Sequence, residues 1–200
     1  STTFIADNYS YMIRVNKAKN FITVLKMDAN HAFTNPYKTF RCSVNSNVPT
    51  GKMGILEKSF WRMLEPNLYG QYTSKIGATY YIHSVPYSSE SNSSLIVDAY
   101  NNLGNTAKVG SIYLALADAK WIYENCAIDT VVEVYEDSAE SPAIALPEKG
   151  TVAAGTGIDP SDNQTASKIV QAKIDYLSGV RDKTVTVGST VNLWENIRAV

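Results

Sequence analysis

The chain is short of several things that would have settled its class quickly. Among 200 residues there are two histidines, His31 and His83, and two cysteines, Cys42 and Cys126. So few imidazoles and thiols, with no CxxC spacing, speak against a zinc site. The cysteines read as two separate buried thiols in preference to a disulfide. No apolar run approaches the ~18 residues of a membrane span, and no charged-then-apolar leader opens the chain. Residues 1–9 read as an internal cut rather than a natural start, compatible with a removed leader or anchor. The net charge is -1 and lysine and arginine are scattered, so no basic stripe supports a nucleic-acid partner. No close acid pair of the glycosidase kind can be placed.

What is present suits one core of ordinary size plus an appendage: 44% hydrophobic residues, 13 Tyr and 3 Trp. Residues 1–137 read as mixed β and α. Tyr11–Val15 and Phe21–Leu25 are β-rich runs joined at Asn16–Asn20, a hairpin signal. Tyr37–Val44, Gly51–Glu57, Ala78–Ser84 and Thr130–Tyr135 are further strand candidates. They recur without regular helical spacers, so a mostly β, sheet-rich α+β domain with two helices is expected. One helix would start at a Ser93–Ser94 cap, run to Asn101 and stop at Gly104. The other covers Leu116–Asn125, where Leu116, Ala119, Ile122 and Tyr123 share a face.

Composition changes after Asp137. Residues 138–176 hold Pro142, Pro147, Pro160 and glycines among few large apolar side chains, and read as a linker. Residues 177–200 turn β-like, with Thr184–Val187, a Gly188–Ser189 turn and Thr190–Leu193. That stretch, "GVRDKTVTVGSTVNL", resembles the opening of a bacterial immunoglobulin-like surface module, here truncated. An amphipathic hairpin tail is the plainer reading.

Four stretches carry a second resemblance. They are "FITVLK" (Phe21–Lys26), "RCSVNSNVPTGKMGI" (Arg41–Ile55), "YGQYTSKIGATYYIHSVPY" (Tyr69–Tyr87) and the segment from Leu103 to Tyr135. In the second, Pro49 fixes φ and Gly51 permits a tight change of direction. In order and separation the four resemble the L,D-transpeptidase catalytic domain, which cross-links bacterial peptidoglycan. The family's signature there is Ser-His-Gly-Cys, a hydrophobic residue and Arg, then a helix rich in Asp-Ala. This chain reads Lys108-Val109-Gly110-Ser111-Ile112-Tyr113, keeping Gly104, Gly110, Leu114, Asp118-Ala119 and Trp121-Ile122-Tyr123.

The resemblance implies that a cysteine thiolate attacks a stem peptide, with imidazole as base and backbone N–H groups holding the oxyanion. Here Ser111 stands at the nucleophile's position, with His83 the family-equivalent base and Gly110 the turn and oxyanion residue. Val109 replaces an imidazole and Tyr113 the Arg; with Lys108 and Tyr81 they would border the pocket. No cofactor is implied. Three chemical groups lost together point to a wall-associated domain, extracellular or in the bacterial cell wall, kept for shape. Its partner would be peptidoglycan stem peptide or the wall. An active acyltransferase using Ser111 with His83 is the alternative, and a surface adhesion protein with an immunoglobulin-like array is a third. Trp61, Tyr69, Tyr72 and Tyr81 are either an aromatic platform or one-sided core.

Overall fold

A computed structural model describes residues 10–165. The expected tail at 177–200, the last part of the linker and the cut at 1–9 lie outside the described residues. Eight strands close into a barrel: β1 (Tyr11–Asn16), β2 (Phe21–Met27), β3 (Phe33–Val44), β4 (Gly51–Glu65), β5 (Leu68–Ile76), β6 (Tyr80–Ser84), β7 (Ile112–Leu114) and β8 (Val131–Tyr135). Around the barrel their order is β1-β2-β3-β7-β6-β5-β4-β8. Two helices accompany them, α1 (Val97–Asn101) and α2 (Leu116–Asn125). The domain is therefore β-rich with few helices. Closure removes the exposed edge that an open sheet of this size would present.

Alternation on β1 and β2 builds the interior. Ile13, Val15, Ile22 and Val24 are fully buried and pack with Ile55, Ile82, Ile112, Leu114, Val132 and Val134. The two strands pair from Tyr11↔Lys26 to Asn16↔Phe21, as a hairpin across Asn16–Asn20 requires. Asn20 closes that turn at φ +54°, a region asparagine tolerates better than most residues. Two junctions are parallel: β6 beside β7, and β1 beside β8. Each parallel junction needs a crossover, and α1 and α2 occur in the connections that supply them.

The structure departs from the sequence reading in four places. Strand β4 runs on to Glu65 rather than stopping near Glu57, and pairs with β5, which the sequence pattern did not reveal. Strand β7 was likewise unforeseen; its three residues are buried between β3 and β6. Helix α1 begins at Val97 after Ile96, with no side-chain cap. Ser94 instead ties its own loop, its hydroxyl donating to the Ser89 and Ser91 carbonyls.

The fourth departure is the segment after β8. It has no strand, as a linker would, yet the compact unit holding the barrel extends to Asp162. Residues 152–161 strap across the α1 and α2 region. The Asn101 side chain donates to the Val152 carbonyl and accepts from Val152 N, and Leu95 N donates to the Gly157 carbonyl. At the start of α2 the residue before the helix is Ala115, which offers no cap of its own. The strap supplies one: Leu116 N donates to Asp159 Oδ2 at 3.0 Å and Ala117 N to Ser161 Oγ at 3.0 Å. These satisfy two of the free N–H groups that begin any helix, and the carboxylate faces the positive end of the dipole.

Candidate active site

His83 sits on β6 beside Tyr113 on β7, its register partner. Parallel pairing thus brings the strand that carries His83 against the strand that follows Ser111. The imidazole is fully buried and both ring nitrogens are engaged. Nδ1 lies 2.7 Å from the Ser84 carbonyl, an acceptor only, so Nδ1 carries the proton. Nε2 is then the acceptor, and it takes the Ser111 backbone N–H at 3.1 Å. Burial pushes the imidazole pKa down to about 4, against a smaller raising effect of the Ser84 carbonyl, so the ring is neutral at pH 7.

Two glycines make room for this ring. A Cβ on Gly110, which has φ +65°, would lie 2.6 Å from both Cε1 and Nε2 of His83. A Cβ on Gly70 would come within 2.9 Å of His83 Cβ. The loop is held from the other side by Asn45, whose side chain donates to the Gly110 carbonyl at 3.0 Å and whose N–H donates to the Ser111 carbonyl at 2.7 Å. The peptide at the nucleophile position is therefore fixed by three hydrogen bonds. Ser111 N–H, one of the groups that could hold an oxyanion, is among those engaged. The Ser111 hydroxyl itself has no hydrogen-bond partner among the described residues, His83 included.

Gly110 and Ser111 open onto a cleft of about 290 Å³ with Tyr81, Tyr80, Thr79, Leu64, Glu65 and Asn47. Of the residues the sequence placed there, Ser111, Gly110 and Tyr81 do meet in the cleft. Lys108 is exposed and Val109 half-buried, and neither borders it. Tyr113 does not border it either. It is 1% exposed, its ring packs in the cluster formed by Tyr87, Tyr100 and Leu116, and its hydroxyl accepts from Asn102 at 3.2 Å. On its three-residue strand Tyr113 takes the face opposite Ile112 and Leu114, and so packs into the cluster outside the barrel.

The aromatic residues do not assemble into one platform. Trp61 meets Tyr87 edge-on at 5.3 Å, and Tyr72 lies between Phe60 and Tyr123 at 5.1 and 5.5 Å. Of Trp61, Tyr69, Tyr72 and Tyr81, only Tyr81 reaches the cleft, under the Arg62 guanidinium at 4.8 Å. Asn45 and Gly70 are the positions that sequence reasoning passed over. Both fall inside the quoted motifs, but a packing glycine and a loop-tying asparagine look like ordinary turn residues in one sequence. Cys42 and Cys126 are free and buried, and burial raises both thiols, to about 12 for Cys126. Neither is suited to nucleophilic work.

Residues 10–134 match the YkuD family, the L,D-transpeptidase catalytic domain. That is well over half of the chain, and the chain belongs to this family. Among solved structures it is similar to an L,D-transpeptidase from Mycobacterium tuberculosis H37Rv, with 19% identity, TM-score 0.48, and coverage of 64% of this chain and 58% of that one. L,D-transpeptidase 3 from the same species gives 18%, 0.48, 64% and 61%. A fused Zn-dependent amidase/peptidase/peptidoglycan-binding domain-containing protein from Clostridium acetobutylicum gives 20%, 0.46, 63% and 52%. This chain thus spans between half and about three-fifths of the length of these structures. No curated protein matches it in sequence. Among the described residues, no helix is long and apolar enough to cross a membrane.

Proposed function

We propose that this is an L,D-transpeptidase-like domain of a bacterial wall-associated, extracellular protein that has lost acyl transfer and serves in peptidoglycan binding or as a structural module. The observation that carries this reading is the pairing of His83 with the Ser111 backbone rather than with its hydroxyl. A serine hydroxyl is far less acidic than a thiol and needs a base within hydrogen-bond reach. Here the only nearby imidazole accepts a main-chain N–H, and its weak basicity gives little drive to take a proton. The same bond engages a main-chain donor that the oxyanion would need. A His83 pocket kept open by Gly110 and Gly70, alongside Ser111, Val109 and Tyr113, fits a scaffold maintained without its chemistry.

An active acyltransferase using Ser111 and His83 rests on the closeness of the two residues. It requires the Ser111 N–H to release Nε2 when a donor peptide binds. Incubation with a carbapenem or a tetrapeptide donor, followed by intact-mass measurement, separates the readings. The unmodified mass is expected at all times, and a stoichiometric adduct lost in Ser111→Ala would establish the active enzyme instead. For the binding role, the soluble protein should be retained saturably on purified sacculi at low salt; complete wash-through would remove that part of the proposal.

A further inference from the structure

On the barrel surface away from the Ser111 cleft, a β-bulge builds a feature that the acyl-transfer site does not use. Between β2 and β3, Val24 pairs with Lys38 and the next residue, Leu25, pairs with Pro36. Tyr37 is the extra residue, and a bulge of this kind re-aims its side chain. Tyr37 is 41% exposed. It stacks on Tyr11 at 5.6 Å, and Tyr11 in turn meets Trp121 of α2 edge-on at 5.2 Å. Phe40, beneath, buttresses Trp121 at 5.7 Å.

Two ammonium groups converge on this aromatic cluster. Lys26 Nζ is 3.6 Å from the centre of the Tyr37 ring, and Lys38 Nζ is 5.5 Å from that ring and 5.1 Å from Trp121. The two distances to one ring bound the separation of the cations at about 9 Å. Neither lysine forms an ion pair among the described residues. Lys38 acts on Asp118 only through its field. Lysine normally holds its charge on a mobile stem, and ordering it has an entropic cost. Here ring faces order two like charges close together with no carboxylate in direct ion-pair contact, Asp118 acting on Lys38 only at longer range, so an incoming anion meets a preorganised pair.

We propose that this patch binds an anionic glycan, a pyranose chain bearing carboxylate or phosphate groups, and so supplies the wall contact that the preceding section assigns to the domain. The proposal rests on that reading for its biological setting. Two lysines match one or two anionic groups per site, too few for the phosphate contacts that nucleic acids engage or the basic clusters that anionic membranes require. Exposed tyrosine and tryptophan edges offer apolar contact and hydroxyl groups, which suits sugars better than a bare acidic peptide.

Affinity electrophoresis of the full chain tests this, with polygalacturonate as the carboxylate probe, a phosphomannan as the phosphate probe, and neutral dextran, poly-glutamate and duplex DNA as comparisons. Retardation is expected in one or both anionic glycans and not in dextran. Lys26→Gln/Lys38→Gln should weaken it about tenfold, as should Tyr37→Ala separately, with unchanged thermal midpoints. Retardation that the variants leave intact, or that poly-glutamate or DNA reproduces equally, overturns the proposal. Sacculi separate it from the broader reading. Retention of wild type and both variants alike, with no glycan retardation, overturns the patch and leaves wall binding standing. Wash-through of sacculi with glycan retardation preserved supports the patch and overturns wall binding.

Discussion

The barrel interior and the cluster outside it are both buried, but they are made differently. The interior cluster is made largely of Ile, Val and Leu from alternate positions on the strands. The outer cluster, under α1 and the strap, combines Tyr87, Tyr100 and Tyr113 with Leu95, Leu116 and Val152. Next to it lie a buried neutral histidine and a fully buried carboxylate, Asp159, whose ionisation burial disfavours. Tyr87 even leaves its hydroxyl without a partner among the described residues. The interior is held chiefly by buried apolar area, whereas the outer cluster is also tied by hydrogen bonds such as Asn102 to the Tyr113 hydroxyl. Ser111 and His83 lie beside the second kind of region.

The largest effect should come from the interior. Ile82→Ala removes a fully buried side chain and is expected to lose about 4 kcal/mol in chemical denaturation. A loss under 1 kcal/mol would mean that the barrel relaxes as readily as the loops. Next comes Gly110→Ala, which brings a Cβ to 2.6 Å from the His83 ring at a positive φ. Strain and overpacking together give about 3 kcal/mol; unchanged stability would show that the ring can move aside.

Acid titration sharpens the comparison further. His83 has its pKa lowered to about 4, so its contribution is complete above pH 6.5 and is lost as pH falls toward 4. Asp118 runs the other way. Burial raises it to about 6, with the Asp159 carboxylate adding to the shift, so its contribution is present at low pH and lost as pH rises through 6. The two offset each other in the wild type. Asp118→Asn removes one side, and stability between pH 6.5 and 4 should then fall more steeply, by up to about 3 kcal/mol, in denaturation series at each pH. Parallel slopes would mean that the carboxyl is better solvated than its position implies.

The smallest effect tests the strap. Asp159→Ala strips the α2 start of its borrowed acceptor and should lose about 1–2 kcal/mol, read as a lower thermal midpoint. Full stability would show that residues 152–161 are dispensable to the fold.

Much of the fold was legible because alternation is local. Ile13, Val15, Ile22 and Val24 announce inward faces without reference to anything distant. Strand β5 escaped because four of its six buried residues, Gly70, Gln71, Thr73 and Ser74 between Leu68 and Ile76, are not large apolar ones, so no apolar alternation marks it. The strap escaped because proline and glycine mark a segment without regular structure, and nothing local says that it will lie against a helix. The candidate site divides in the same manner. Ser111, Gly110 and His83 could be named in advance, since they occupy motif positions, and they do come together. The packing of Tyr113 into the outer cluster could not be named, because a three-residue strand has too little pattern to reveal its faces.

By itself, then, the sequence determined the barrel's apolar interior, the helix at Leu116–Asn125 and the family. Only the tertiary structure decided that His83 accepts the Ser111 main chain, that Asp159 caps a helix 43 residues earlier, and that Lys26 and Lys38 meet at Tyr37. The reason is physical. Side-chain burial follows from the period of a single strand or helix, but a hydrogen bond or a shared charge depends on where two distant stretches are brought together.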